Sequence, residues 1–235
     1  MTTKEILKQL EEFGNEQTKK IFMRHGAKEP IFGVKVQDLK KIQKIVKKNH
    51  ELAIELYDTG NSDAMYLATL ISEPKKMTKI QLQNWAEKAN WYMLSEYPVA
   101  WTTAESNFAQ ELAEEWIKSD KESIASSGWS TLSSLIAIED DNEISTEKIE
   151  DLLKYISKNI HNAQNRVKYT MNSFVISVGT YFKPLLIKSK LTAKTIGKVN
   201  VEMGGTSCKV PLAIDYIEKV EKMDRVGKKR KTSFC

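Results

Sequence analysis

The sequence predicts an all-α protein built as a row of short, stacked helix pairs. Three observations predict it. Apolar residues recur at helical spacing along nearly the whole chain, and strand-like alternation is almost absent. The breaks between periodic stretches are short and hold the Gly, Pro, Asn and Ser residues that end and cap helices. No apolar run approaches the ~18 residues that a membrane span requires.

The elements follow in order. The opening stretch, MTTKEILKQLEEF, is amphipathic and carries acids, with no signal-peptide core. Pro30 and Gly33 break KEPIFGV, and Val36, Leu39, Ile42, Ile45 and Val46 then share one face. Leu52, Ala53, Leu56 and Tyr57 form the next face, closed by Gly60-Asn61. Pro74 ends a further helix and Thr78 is placed to cap its successor. Phe108, Leu112, Ala113, Trp116 and Ile117 fall on one stripe, as do Ile149, Leu152, Leu153, Ile156 and Ile160. DDNEIST separates another pair of helices, with Ser145 or Thr146 as N-cap. A long segment, 165–183, carries Val167, Met171, Phe174, Val175, Val178 and Phe182 and stops at Pro184. Ile214, Ile217 and Val220 mark the last helix, with Pro211 expected in its first turn.

This gives about twelve helices of roughly 10–17 residues, an ordinary length for globular helices. Short antiparallel pairs at intervals of ~40 residues suggest stacked, degenerate HEAT-like repeats, whose concave side is a groove for an extended partner. We expect one repeat domain over residues 1–226 and a basic tail over 227–235.

The formal charge of +5 is concentrated at one end: residues 1–218 carry 29 basic and 29 acidic residues, whereas 219–235 carry seven basic and two acidic. A basic tail suits a polyanion such as nucleic acid, and equally describes a solvated end. Two cysteines, Cys208 and Cys235, are too few for a disulfide scaffold. The expected compartment is the cytoplasm.

The strong catalytic and nucleotide-binding signatures are missing: no Walker-type loop, dinucleotide fingerprint, H-E-x-x-H or C-x-x-C is present. His25, His50 and His161 lack metal-ligand spacing, so neither a metal nor another cofactor is expected. MGGTSCK (203–209) reads as a turn, or as a phosphate cradle at a helix start. The aromatics stand out most. Trp85 and Trp116 sit on plain amphipathic helices and read as core. Trp91 and Trp101 flank a polar stretch broken by Pro98, as groove-lining rings would, and Trp129 follows the small residues ASSG. Exposed rings of this kind stack on nucleobases.

Several blocks together resemble the DNA alkylation repair family, the AlkD-type HEAT-like DNA glycosylases. They are FMRHGAKEP followed by FGVKVQDLKKI, NWYMLSEY, SSGWSTLSSL, NRVKYTMNSFVISVGTY and the ending MGGTSCKVP…GKKRKTSFC. The resemblance implies a right-handed α-α superhelix of degenerate HEAT-like repeats gripping duplex DNA in its concave cleft. It also implies excision of N3- and N7-alkylpurines by the active members, in which a carboxylate stabilises the cationic sugar.

Position by position, the match is partial. Trp91 falls on a cleft Trp, and Ser95 falls where the active enzymes have the catalytic Asp. Glu96, one ~100° step round the helix, is the candidate replacement carboxylate, with Glu105 a second. Phe174 replaces a second cleft Trp, and Ser177 stands where a phosphate-binding Arg is expected. Arg166 and Lys168 are candidates to restore that charge. The catalytic candidates are therefore Glu96 and Ser95. The DNA-binding candidates are Trp91, Trp129, Arg166, Lys168 and Phe174, with Lys228, Lys229 and Arg230 of the tail. The expected function is a DNA-repair protein binding alkylated double-stranded DNA, an alkylpurine N-glycosylase if a carboxylate serves, and nucleoid-associated when bound. The alternative is a non-catalytic HEAT-like scaffold for DNA or a protein partner.

Overall fold

The computed structural model describes residues 1–234, and Cys235, the last residue of the expected basic tail, lies outside the described residues. No strand forms among them; the chain is helical throughout. The helices are α1 (Thr3–Phe13), α2 (Glu16–Arg24), α3 (Val36–Val46), α4 (His50–Asp58), α5 (Ser62–Ile71), α6 (Lys79–Lys88) and α7 (Tyr92–Leu94). After them come α8 (Ala100–Ala104), α9 (Ala109–Trp116), α10 (Glu122–Ile138), α11 (Thr146–Asn159), α12 (Asn165–Tyr181), α13 (Leu186–Ile196) and α14 (Ala213–Lys222). A π-helical turn, Ser95–Val99, fuses α7 to α8.

Local chemistry explains most boundaries. Thr2 and Thr78 close reciprocal capping boxes with Glu5 and Gln81, and Ser145 caps α11 as its position suggested. Asn61, after the Gly60 turn, caps α5. Pro184 sits in the 3-10 turn that stops α12. Pro211 lies just outside the last helix, which starts at Ala213 with Leu212 at its N-cap; it precedes the first turn and is not part of it. Ile45, expected on the apolar face of α3, is exposed.

The connection between α2 and α3 is held by one buried carboxylate. Asp63 accepts hydrogen bonds from the N–H groups of Phe32, Gly33 and Val34 at 2.6, 3.1 and 2.9 Å. Gly33 has φ +79° there, and a Cβ would meet the Lys19 nitrogen at 2.5 Å, so only glycine fits.

From the π-turn onward the helices form two rows. The π-turn and α8, then α10, α12 and α14, pack side by side as the inner row, while α9, α11 and α13 back them. Gly128 lets α10 press against the end of α9, where an added Cβ would lie 2.7 Å from the Ile117 nitrogen. The core is divided. One cluster runs from Ile6 to Ile124 and contains Tyr57 stacked on Trp85 at 4.3 Å. The other runs from Ala104 to Ile217 and contains Trp129 and Phe174. The two overlap in sequence between Ala104 and Ile124, where the inner row turns from one to the other.

Candidate nucleic-acid interface

The inner row presents half-buried hydroxyl residues. Helical spacing brings Ser130, Ser133 and Ser134 to one stripe of α10 and Tyr169, Ser173 and Ser177 to one stripe of α12. Between these stripes runs a slot of about 310 Å³, walled also by Tyr97 and Trp101, which meet edge to face at 5.8 Å. A second hollow of about 410 Å³ opens at the helix N-termini, lined by Trp91, Ser95, Glu96, Glu122, Ser126 and Arg166 among others. Glu96 borders both hollows.

The π-turn puts it there. Pro98 lacks the N–H of an ordinary helical residue, and widening by one residue accommodates it while turning Ser95 and Glu96 inward. The Glu96 side chain is 1% exposed and that of Arg166 12%. Arg166 donates from Nε and Nη2 to the two carboxylate oxygens at 2.7 and 2.5 Å. Its guanidinium lies 4.0 Å from the centre of the Tyr92 ring and 4.4 Å from that of Tyr169. Met203 Sδ accepts from Nη1 at 3.7 Å, and the Arg166 backbone N–H donates to Glu122 at 2.8 Å. Tyr92 is fixed in turn by a 2.7 Å hydrogen bond to His25 Nδ1. Burial pushes the Glu96 carboxyl up to about 7, against the lowering pull of the Arg166 guanidinium. Ser95 is buried, and its hydroxyl has no hydrogen-bond partner.

Trp91, Ser95, Glu96 and Arg166 therefore converge. Trp91 is half-buried, tilted against Phe22 at 5.4 Å. Lys168 is half-buried in the first turn of α12. Trp129 and Phe174 do not join them. Both are 0% exposed and meet edge to face at 5.3 Å inside the second cluster, so neither presents a ring to DNA. The apolar stripe of α12 takes Phe174 into the core, and the groove side of that helix is left to hydroxyls. Glu105 is not free for chemistry either: Oε1 accepts from the Thr232 hydroxyl at 2.5 Å and the Ser233 N–H at 2.7 Å. The 203–209 loop is a turn between α13 and α14, with positive φ at Gly204 and Gly205, and begins no helix.

The tail is ordered against the body rather than solvated. Lys228 is exposed, whereas Lys229 donates to the Ile136 carbonyl at 2.8 Å and pairs with Asp141 at 2.8 Å. Arg230 reaches the end of the slot and donates to the carbonyls of Ser233 and Phe234 at 3.2 Å each. Sequence reasoning missed Tyr92 and Tyr169 as the rings that clamp Arg166. It also missed the pairing of Glu96 with Arg166, which stand 70 residues apart and share no local pattern. Among the described residues no group of three His, Cys, Asp or Glu is placed to hold a metal ion, and no helix is long and apolar enough to cross a membrane.

Comparison with known proteins places this architecture. A family model described as DNA alkylation repair enzyme matches residues 6–188. The protein Lin0241 of Listeria innocua is 38% identical over 217 residues, 90% of this chain and 93% of its own. Lmo0209 of Listeria monocytogenes is equally similar, with the same identity and coverage. A solved structure covers 98% of both chains at 42% identity and a TM-score of 0.91. It is described as a new family of proteins related to the HEAT-like repeat DNA glycosylases with affinity for branched DNA structures. With its all-helical double row and full-length likeness to these proteins, the chain belongs to the DNA alkylation repair enzyme family and has its HEAT-like fold.

Proposed function

We propose that this protein binds branched DNA through the inner face of its helical stack and does not excise bases from it. What carries the reading is the likeness, over 98% of both chains, to the structure described as having affinity for branched DNA. The chemistry of the site agrees. Stabilising a cationic sugar requires a carboxylate whose charge is free to act. Glu96 spends both of its oxygens on Arg166, and Ser95 is neutral. The slot is lined by hydroxyls and rings, with its one acid already paired. Such a wall accepts sugar edges and base faces without repelling phosphates. Trp91 and Arg166, which line the second hollow, with Lys168 and the exposed Lys228 of the tail, are the residues proposed to meet the DNA.

The test is fluorescence anisotropy with a labelled four-way junction and a linear duplex of the same sequence, read across salt. Tighter binding to the junction, weakening steeply as salt rises, is expected of a phosphate-driven complex. Equal affinity for the two would remove the branched-DNA half of the proposal. Chromatographic release of 7-methylguanine from methylated duplex would remove the other half.

A further inference from the structure

The C-terminal ends of α8, α10 and α12 share one rim, since one segment, residues 227–233, hydrogen-bonds to all three. Unpaired carbonyls and the negative ends of the helix dipoles gather at such a rim, which repels phosphate. Residues 225–234 run along it. The Gly227 N–H donates to the Thr180 carbonyl in the last turn of α12 at 2.8 Å. The Arg230 N–H and Lys229 Nζ donate to the Ala137 and Ile136 carbonyls in the last turn of α10, at 2.7 and 2.8 Å. The Ser233 N–H and Thr232 hydroxyl meet Glu105, the C-cap of α8. Phe234 packs edge to face on Trp101 at 5.9 Å. Lys48, which donates to the Leu70 carbonyl at the end of α5, sits 5.5 Å from the Phe234 ring. The strap thus starts on the second core cluster and finishes against the first.

We infer that this strap reverses the sign of the rim and makes it the contact surface for the backbone of a second DNA arm. Its inward groups are committed to the body: the N–H groups of 227, 230 and 233, Lys229 and Phe234. Arg225, Lys228 and Lys231 face solvent. Helix-end carbonyls are covered by donors, and three exposed cations stand outside them. Arg230 also forms one end of the slot, so the strap is continuous with the proposed binding face. A linear duplex lying across the inner row engages the strap little, whereas a junction has a further arm to lay on this rim. This assignment rests on the branched-DNA reading; it withdraws the contact role from Lys229 and Arg230, keeps it for Lys228 and adds Arg225 and Lys231.

The test compares wild type with the triple variant Arg225→Gln/Lys228→Gln/Lys231→Gln, and with a variant retaining charge, Lys228→Arg/Lys231→Arg. Junction affinity of the glutamine variant should fall about tenfold or more, and the slope of log affinity against log salt should shrink by about 2–3, since each neutralised phosphate contributes ~0.9. Linear-duplex affinity should change little, the melting temperature should hold, and the arginine variant should bind as wild type does. Wild-type junction binding with an unchanged slope in the glutamine variant would overturn the strap assignment alone. A wild type that ignores every DNA would instead overturn the proposed function.

Discussion

At the residue scale, the site turns on Glu96 and Arg166. A carboxylate this deeply buried is tolerable only with a hydrogen-bonded partner, and a bidentate guanidinium held between two rings provides it. Removing one partner leaves the other charge stranded. Arg166→Ala should therefore destabilise the fold by about 3–5 kcal/mol. Glu96→Gln/Arg166→Met should recover most of that loss; urea denaturation of the singles and the double closes the cycle. The pH dependence follows from the raised Glu96 carboxyl. Between the ordinary value of 4.5 and about 7, the folded protein binds a proton that the unfolded chain does not. The contribution is complete below that window and is lost as pH rises through it. Wild type should thus gain thermal stability relative to Glu96→Gln as pH falls from about 8 to about 5; parallel melting curves would contradict the assignment. Asp63 is a second buried carboxylate raised by burial, but it is held by three backbone donors instead of a cation. Asp63→Ala should orphan those donors and cost about 1–3 kcal/mol.

At the element scale, close approach and the π-turn decide the geometry. Gly128 faces backbone, whereas a Cβ at Gly179 would meet only the Ile217 side chain, also at 2.7 Å. A side chain can rotate away and a backbone nitrogen cannot. Gly128→Ala should consequently destabilise more than Gly179→Ala, by about 1–3 kcal/mol against less, in the same denaturation assay. The π-turn was only half legible. Pro98 inside a polar, aromatic stretch announced an interruption, and the uncertain orientation of Glu96 was visible in the one-step offset from Ser95. The sequence could not show that the widened turn buries both residues. Helix caps at Thr78 and Ser145 were readable because capping is local. Pro211 was misplaced because a proline suits the residues just before a helix as well as its first turn.

At the scale of the whole molecule, two core clusters, an inner row and a strap spanning both shape the surface proposed to meet DNA. Binding only the folded state, a saturating four-way junction should raise the melting temperature, and more so at low salt than at high salt. Amphipathic periodicity by itself determined the helices and their stacking, since the apolar stripe of each helix must be buried and short helices can bury it only against neighbours. The order of its blocks pointed to the family. Which face each aromatic took was decided only in three dimensions: Trp129 and Phe174 went to the core, because a stripe with helical spacing says that a residue is buried and not what covers it. The neutralisation of Glu96 and the docking of the basic tail were likewise tertiary outcomes. Both join residues far apart in the chain, 70 and more than 120 positions, and no local pattern encodes a contact that only folding makes.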